Sequence, residues 1–358
     1  MSSKEGGRMK AWENNIRKVV PYVPGEQPKV DKVIKLNTNE NPYPPSPKVL
    51  QAQCDMEKLR LYPDPEAKDL VHAIAQYHEL QDDQVFVGVG SDDVLAMSFM
   101  TFFNSDKPLL FPDITYSFYD VWADLFRIPY RMMPLKEDFS IDPSDYYGEN
   151  GGVIFPNPNA PTGQLVTLDF IRDVLAHNQD VIVIVDEAYI DFGGQTALPL
   201  LNEFENLLVV RTFSKSRCLA GLRIGYAMGN AELIKALNDV KYSFNSYTMN
   251  YPTIVMGAAC MQDDAYFKNT VSKVIATREW FEKELIRLGF AFQPSYSNFV
   301  FATHKSAKAK DIFEAAKKEH IFVRYFDKPR IDNYLRISIG TDEEMKEFVR
   351  FLEQYLNV

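Results

Sequence analysis

Residues 181–185 read Val-Ile-Val-Ile-Val and run without a polar interruption into Asp186, Glu187, Ala188 and Tyr189. A half-exposed strand alternates apolar and polar residues, so this unbroken β-branched run predicts a strand covered on both faces. Strands of that kind belong to parallel sheets between helices, where ligands sit beyond the carboxyl ends of the strands. Asp186 therefore points where a ligand would lie.

Further strands are predicted at about 85–89, 108–111, 129–133, 152–155, 207–211 and 224–228, alternating with helical patterns. This spacing calls for an α/β fold in which a mainly parallel seven-stranded sheet lies between helices. After residue 250 the pattern changes to a long helical tract over 254–261 and 266–288. It leads into a smaller C-terminal α/β domain with strands at 298–302, 321–325 and 334–339 and helices at 307–319 and 342–356. With 358 residues, 46% of them hydrophobic, the chain can bury cores for both. The expected division is an N-terminal segment, 1–40, packed on the cleft or on a partner subunit, then a large domain, 41–250, and a linking helix with the small domain, 251–358.

Three more loops at strand ends carry candidate groups. The run from Arg211 to Tyr226 sets Lys215 in a polar loop directly after a buried strand, with Arg223 eight residues on. A lysine there sheds part of its hydration and suits Schiff-base chemistry, although most Ser-Lys pairs in loops, taken alone, are solvated surface. Gly90 and Ser91 follow a strand and lead into a helical run, so their amides and the positive helix end can hold an anion. The third loop is Asn157-Pro-Asn-Ala-Pro-Thr-Gly163, after the short strand at 152–155.

A net charge of -10 argues against nucleic acid or an anionic membrane as partner, so small anionic substrates need local arginines. The three cysteines, Cys54, Cys218 and Cys260, show no CxxC spacing, and the five histidines show no HxH or HExxH pairing. Neither a disulfide framework nor a metal site is expected. The first ten residues are polar and no apolar run is long enough for a bilayer, which predicts a cytoplasmic protein.

In order along nearly the whole chain stand Pro21-Tyr22, Leu36-Asn-Thr-Asn-Glu-Asn-Pro-Tyr43, Tyr62-Pro-Asp64, Gly90-Ser-Asp-Asp93, Thr115-Tyr116, Pro161-Thr-Gly163, Asp186 with Tyr189, Ser214-Lys215 with Arg223, and Tyr334-Leu-Arg-Ile-Ser338. This series resembles the fold type I enzymes that use pyridoxal 5′-phosphate, and among them most closely the histidinol-phosphate aminotransferases. The resemblance implies that Lys215 forms the Schiff base and moves the substrate proton, that Asp186 stays ionised beside the ring nitrogen, and that Tyr189 bonds the ring's phenolic oxygen. It implies a phosphate site from Gly90, Ser91, Asp92, Ser214 and Arg223, with the side chains of Asp92 and Asp93 turned away or capping the helix. Tyr116 would cover the ring face. Tyr62 would reach across a homodimer interface to the neighbour's cofactor phosphate.

For substrates, the resemblance gives Arg336 to the α-carboxylate of glutamate and 2-oxoglutarate, and Arg324 to a substrate phosphate or distal carboxylate. Tyr22 and Asn39 would close over the substrate, although an Asx turn accounts for Asn39 equally well. One position departs from the family pattern. Asparagine commonly precedes Pro-Thr-Gly and donates to the phenolic oxygen, but here Ala160 does, so Asn159 is expected to take its place or Tyr189 to serve alone.

The implied reaction is transamination of L-histidinol phosphate with 2-oxoglutarate, giving imidazole acetol phosphate and glutamate, in histidine biosynthesis. An aromatic amino-acid aminotransferase and a threonine-phosphate decarboxylase share the scaffold and stay open at this point. A ligand sensor would carry a fused DNA-binding domain, for which a resemblance starting near residue 20 is expected to leave no room.

Overall fold

The computed structural model describes residues 11–28 and 32–357. Its strands in chain order are β1 (Ile34–Lys35), β2 (Val85–Gly88), β3 (Leu109–Pro112), β4 (Tyr130–Met133), β5 (Gly152–Pro156), β6 (Val183–Asp186), β7 (Leu207–Thr212), β8 (Gly225–Gly229), β9 (Phe290–Phe292), β10 (Phe299–His304), β11 (Ile321–Phe322), β12 (Arg324–Tyr325) and β13 (Leu335–Ser338).

The seven strands β2 to β8 form one sheet in the order β2-β8-β7-β6-β5-β3-β4. All neighbours run parallel except those of β8, which is antiparallel to both β2 and β7. Every residue of β5, β6 and β7 is buried. Their side chains feed two cores, one on each face: Val183, Val185, Leu207 and Val209 on one side, and Ile184, Leu208 and Val210 on the other. Double-sided burial explains why these strands read as unbroken apolar runs. The edge strand β4 is half exposed and carries Arg131, as an unpaired edge tolerates.

Register then brings the carboxyl ends together. Pro156 pairs with Asp186, and Asp186 with Val210, so the loops after β5, β6 and β7 open side by side. The helix Ser91–Phe102 starts at the adjacent end of β2, beside β8.

The smaller domain is a four-stranded sheet in the order β12-β13-β10-β9, antiparallel at each pairing. It is backed by the helices Asp264–Arg287, Ala309–Lys318 and Asp342–Leu356 around a core of Phe281, Phe299, Ile312 and Phe348. The last helix has the boundaries its pattern predicts, because Thr341 and Glu344 cap it reciprocally. The strand predicted over 321–325 is two pieces. β11 pairs in parallel with β1, whereas β12 pairs with β13, so the chain changes partner at Val323. Residues 34–36 thus have a specific seat: β1 adds to the small domain, and Leu36 is buried in its core, whereas residues 1–10 and 29–31 of the N-terminal segment lie outside the described residues. Among the described residues, no helix is long and apolar enough to cross a membrane.

Candidate active site

A cleft of about 740 Å³, counted out to its open mouth, lies at the carboxyl ends of β5, β6 and β7. Its wall includes Ser91, Asp92, Tyr116, Ala160, Asp186, Tyr189, Ser214, Lys215 and Arg223, together with Thr38 and Glu40 from the N-terminal segment. Residues from five strand-end loops therefore converge, those after β2, β3, β5, β6 and β7.

Asp186 closes β6 and is only 4% exposed. Tyr119 Oη donates to its Oδ2 at 2.9 Å, and the Ala188 amide donates to Oδ1 at 3.2 Å. Burial pushes the carboxyl up to about 6, against the pull of those two hydrogen bonds. Tyr119 was not singled out from the sequence: it is one of several aromatics in the run 112–119, and only the folded chain shows which of them meets the acid. Burial first, and Asp186 second, hold its phenol far above its ordinary range, so it stays a donor.

Lys215 is half-buried, and its Nζ donates to Thr38 O at 3.1 Å and lies 5.7 Å from the centre of the Tyr189 ring. The Lys215 loop is anchored from behind by ionic contacts. Ser216 Oγ donates to Asp191 at 2.5 Å, Arg211 joins Asp191 at 3.3 Å, and Arg211 meets the fully buried Glu187 at 2.8 Å. Glu40 is a wall residue that the sequence alone did not single out. Burial works against its charge, but Lys35 at 2.6 Å and Thr38 at 2.7 Å more than offset that and leave its carboxyl below the usual range.

The anion cup forms where Gly90 takes φ +89° and caps the helix Ser91–Phe102. A Cβ there would collide with the Arg223 guanidinium, so glycine lets the cation close on the helix start. Arg223 Nη1 donates to Ser214 Oγ at 3.3 Å. The two acids behave differently from each other. Asp93 turns back to accept from the Val89 amide at 2.8 Å. Asp92 does not turn away: it accepts from Tyr116 Oη at 2.6 Å and from Arg223 Nη2 at 3.3 Å, which pairs its charge with the guanidinium.

Two expectations need correction. Asn159 is not available to a ligand: its amide donates to Ile114 O at 2.9 Å and to Thr162 at 3.0 Å, its oxygen accepts from Thr115, and the residue is 1% exposed. Asn157 is likewise spent on Val166, so Ala160 forms the wall and neither neighbouring asparagine has an amide to spare. Asn39 does not close over the cleft. It is 1% exposed, in the left-handed region at φ +55°, and bonded to Tyr189 and Ser338.

Arg324 and Arg336 face each other across β12 and β13. Arg336 sits over Phe299 and Phe326, donates to Asn37 O at 3.0 Å, and leaves its buried Nε without a partner. Burial lowers its pKa from the ordinary arginine value. Tyr22 stacks on Phe118 at 4.2 Å. Tyr62 is 82% exposed and stacks on Tyr247, away from the cleft of its own chain.

The model of the aminotransferase class I and II family matches residues 31–352. A histidinol-phosphate aminotransferase of Lactococcus lactis subsp. cremoris is 53% identical over 97% of this chain and 98% of its own. The chain belongs to the histidinol-phosphate aminotransferase family. It is an aminotransferase, and one from Clostridium botulinum is 51% identical over 97% of this chain and 99% of its own. Among solved structures, a putative histidinol-phosphate aminotransferase from Erwinia carotovora atroseptica superposes with a TM-score of 0.84 at 25% identity, over 91% of this chain and 97% of that one. The Sinorhizobium meliloti histidinol-phosphate aminotransferase, solved in complex with pyridoxal-5′-phosphate, has the same fold, with a TM-score of 0.82 at 23% identity over 91% and 92% of the two chains. The aminotransferase fold thus accounts for the placement of the cleft at the carboxyl ends of the large sheet's strands.

Proposed function

We propose that this aminotransferase binds pyridoxal 5′-phosphate in the cleft and transfers the amino group of L-histidinol phosphate to 2-oxoglutarate, yielding imidazole acetol phosphate and glutamate in histidine biosynthesis. The observation that carries the reading is that an acid, a lysine and an anion cup line one cavity: Asp186, Lys215, and Ser91, Ser214 and Arg223. The donor set fits the cofactor group by group. The cradle that a Gly90 Cβ would fill brings a helix start, a hydroxyl and a guanidinium to one point, as a phosphate needs.

When bound, the cofactor supplies a carbonyl that takes up the amino group and a ring that accepts electrons from the neighbouring carbon. The chain's own residues then have distinct tasks. Ser91 N–H, Ser214 Oγ and Arg223 hold the phosphate, with Asp92 pairing the cation. Asp186 holds a proton on the ring nitrogen, and its buried setting makes that pairing strong. Tyr116 covers the ring and Tyr189 Oη donates to the phenolic oxygen. Lys215 Nζ, released from Thr38 O, takes and returns the proton at the substrate carbon that bears nitrogen.

Arg336 and Arg324, paired across β12 and β13 outside the wall of the cleft, are the two cations assigned to the substrates' anionic groups. The orphaned Arg336 Nε supports an oxyanion ligand there, since a buried donor without a partner is costly. Histidinol phosphate presents one phosphate and 2-oxoglutarate two carboxylates, so a pair of arginines serves both. Tyr22 lies beside them as cover. The exposed Tyr62 supports a homodimer in which it reaches the partner's cofactor phosphate, and the setting of such a biosynthetic enzyme is the cytoplasm.

The test is glutamate formation from 2-oxoglutarate with histidinol phosphate, phenylalanine or O-phosphothreonine as donor. Turnover with histidinol phosphate, lost in Lys215→Ala with the fold retained, is the expected result. Equal or faster turnover with phenylalanine would make this an aromatic aminotransferase, and carbon dioxide release from O-phosphothreonine would change the reaction class.

A further inference from the structure

Behind the cleft, a chain of hydrogen bonds fixes the direction of one proton. The Asn39 backbone N–H donates to Ser338 Oγ at 2.9 Å, and the single Ser338 hydroxyl proton goes to Asn39 Oδ1, at 2.8 Å. That bond settles which way the Asn39 side chain faces. Its oxygen is toward Ser338, and its NH₂ is toward Tyr189 Oη, at 3.0 Å. An NH₂ group cannot accept, so Tyr189 is the acceptor in this contact and its own proton turns elsewhere.

We propose that Asn39, locked by Ser338, is a positioning residue that directs the Tyr189 hydroxyl proton into the cleft, onto the phenolic oxygen of bound pyridoxal phosphate. The inference rests on the cofactor reading above and deepens it. It explains three facts together. Ala160 offers no donor at this wall and Asn159 is fully engaged, so the phenolic oxygen depends on Tyr189. Asn39 adopts φ +55°, which asparagine tolerates better than most residues, and its own N–H and Oδ1 both meet Ser338. Asn298 Nδ2 donates to Asn39 O at 2.9 Å and fixes the backbone from the small-domain side.

The relay therefore joins the small domain, through Asn298 and Ser338, to a tyrosine in the loop after β6. The ionisable groups that face the Tyr189 phenol are Lys215, Arg336, Tyr116 and Tyr119. Against that fixed background, the donor's direction is what a substitution at Asn39 changes. A donor on the phenolic oxygen stabilises its anion, so turning the donor away raises the pH at which the cofactor's visible absorption titrates.

Asn39→Asp tests this, because a carboxylate of the same shape can only accept and would draw the Tyr189 proton to itself. In the pyridoxal-phosphate-loaded protein, the absorption midpoint should rise by about one to two pH units. Tyr189→Phe should give a like rise, and Asn39→Asp should add nothing in the Tyr189→Phe background. The dissociation constant for pyridoxal phosphate should weaken about tenfold in parallel. An Asn39→Asp midpoint equal to the parent's, with Tyr189→Phe shifted, overturns the relay alone. So does a shift that persists in the Tyr189→Phe background, since it would come from the new charge and not from the proton. A Tyr189→Phe protein that titrates like the parent overturns both the relay and the tyrosine's place at the cofactor. If Asn39→Asp does not fold, Ser338→Ala carries the comparison: unlocking the amide should give a smaller rise that vanishes with Tyr189→Phe, and no rise overturns the relay.

Discussion

Asp186 shows how a single buried residue trades stability for chemistry. Its carboxyl is raised from 3.8 to about 6, so the folded protein holds the proton at a pH where the unfolded chain has released it. Stability from this group is complete below about pH 4 and is lost as pH rises through about 6, a loss of about 3 kcal/mol in the cofactor-free protein. Asp186→Asn removes the titration and keeps two partners, because its NH₂ can donate to Tyr119 and its oxygen can accept from Ala188. The cofactor-free variant should resist denaturant better than the parent at about pH 7.5 and equally at about pH 4, while losing transaminase turnover. A parent and variant that lose stability in step across that range would show that the buried charge costs nothing. Asp186, Lys215 and Arg223 were legible because chemistry-bearing types stand at strand ends. Tyr119, Asn39 and Asn159 were not: their use depends on which through-space partner each meets, and Asn159 carries the right atoms in a place where they are already spent.

At the scale of elements, all seven strands of the large sheet were legible, six of them because burial leaves an apolar run in the sequence and the half-exposed edge strand β4 from its place in the strand–helix alternation. What the pattern does not carry is partner choice. β8 reads like its neighbours yet runs antiparallel, and the tract 321–325 divides between two sheets because β1, from far away in the chain, claims its first half. The antiparallel β8 also sets the anion cup. A Cβ on Gly225 would fall far inside contact with the Gly90 carbonyl and the Ser91 amide, so β8 presses its backbone against the helix start. Gly225→Ala should push that amide out of place, weaken pyridoxal phosphate binding at least tenfold, and cost about 1–3 kcal/mol of stability. Gly221→Ala, four residues earlier with nothing within 4 Å of the added carbon, should leave both unchanged. Titrating the two apo variants with cofactor, followed by fluorescence, checks the contrast. Equal affinities would mean that the cup tolerates movement of its helix start.

For the whole molecule, the cleft of one chain offers Ser91, Ser214 and Arg223 to a phosphate, while Tyr62 stands 82% exposed with Met56, Leu59 and Leu61 also open to solvent on the same stretch. Apolar residues grouped in this way mark a contact surface. If that surface seats a second copy by a two-fold axis, each Tyr62 serves the other chain's cup, and a site is built from two chains. This arrangement predicts complementation. Lys215→Ala lacks the lysine but keeps Tyr62, and Tyr62→Ala keeps the lysine but lacks the tyrosine. In a mixed dimer, the lysine of one chain meets the tyrosine of the other, and one of its two sites is intact. Dissociating and reassociating equal amounts of the two variants should then recover up to about a quarter of the parental turnover at low cofactor concentration, since random pairing makes half the dimers mixed. No recovery above the sum of the separate variants, with mixed dimers demonstrated by sedimentation of differently tagged chains, would place Tyr62 outside the neighbour's site. The result would also bear on the fold, because residues 56–62 would then need another reason to hold four large apolar side chains in water.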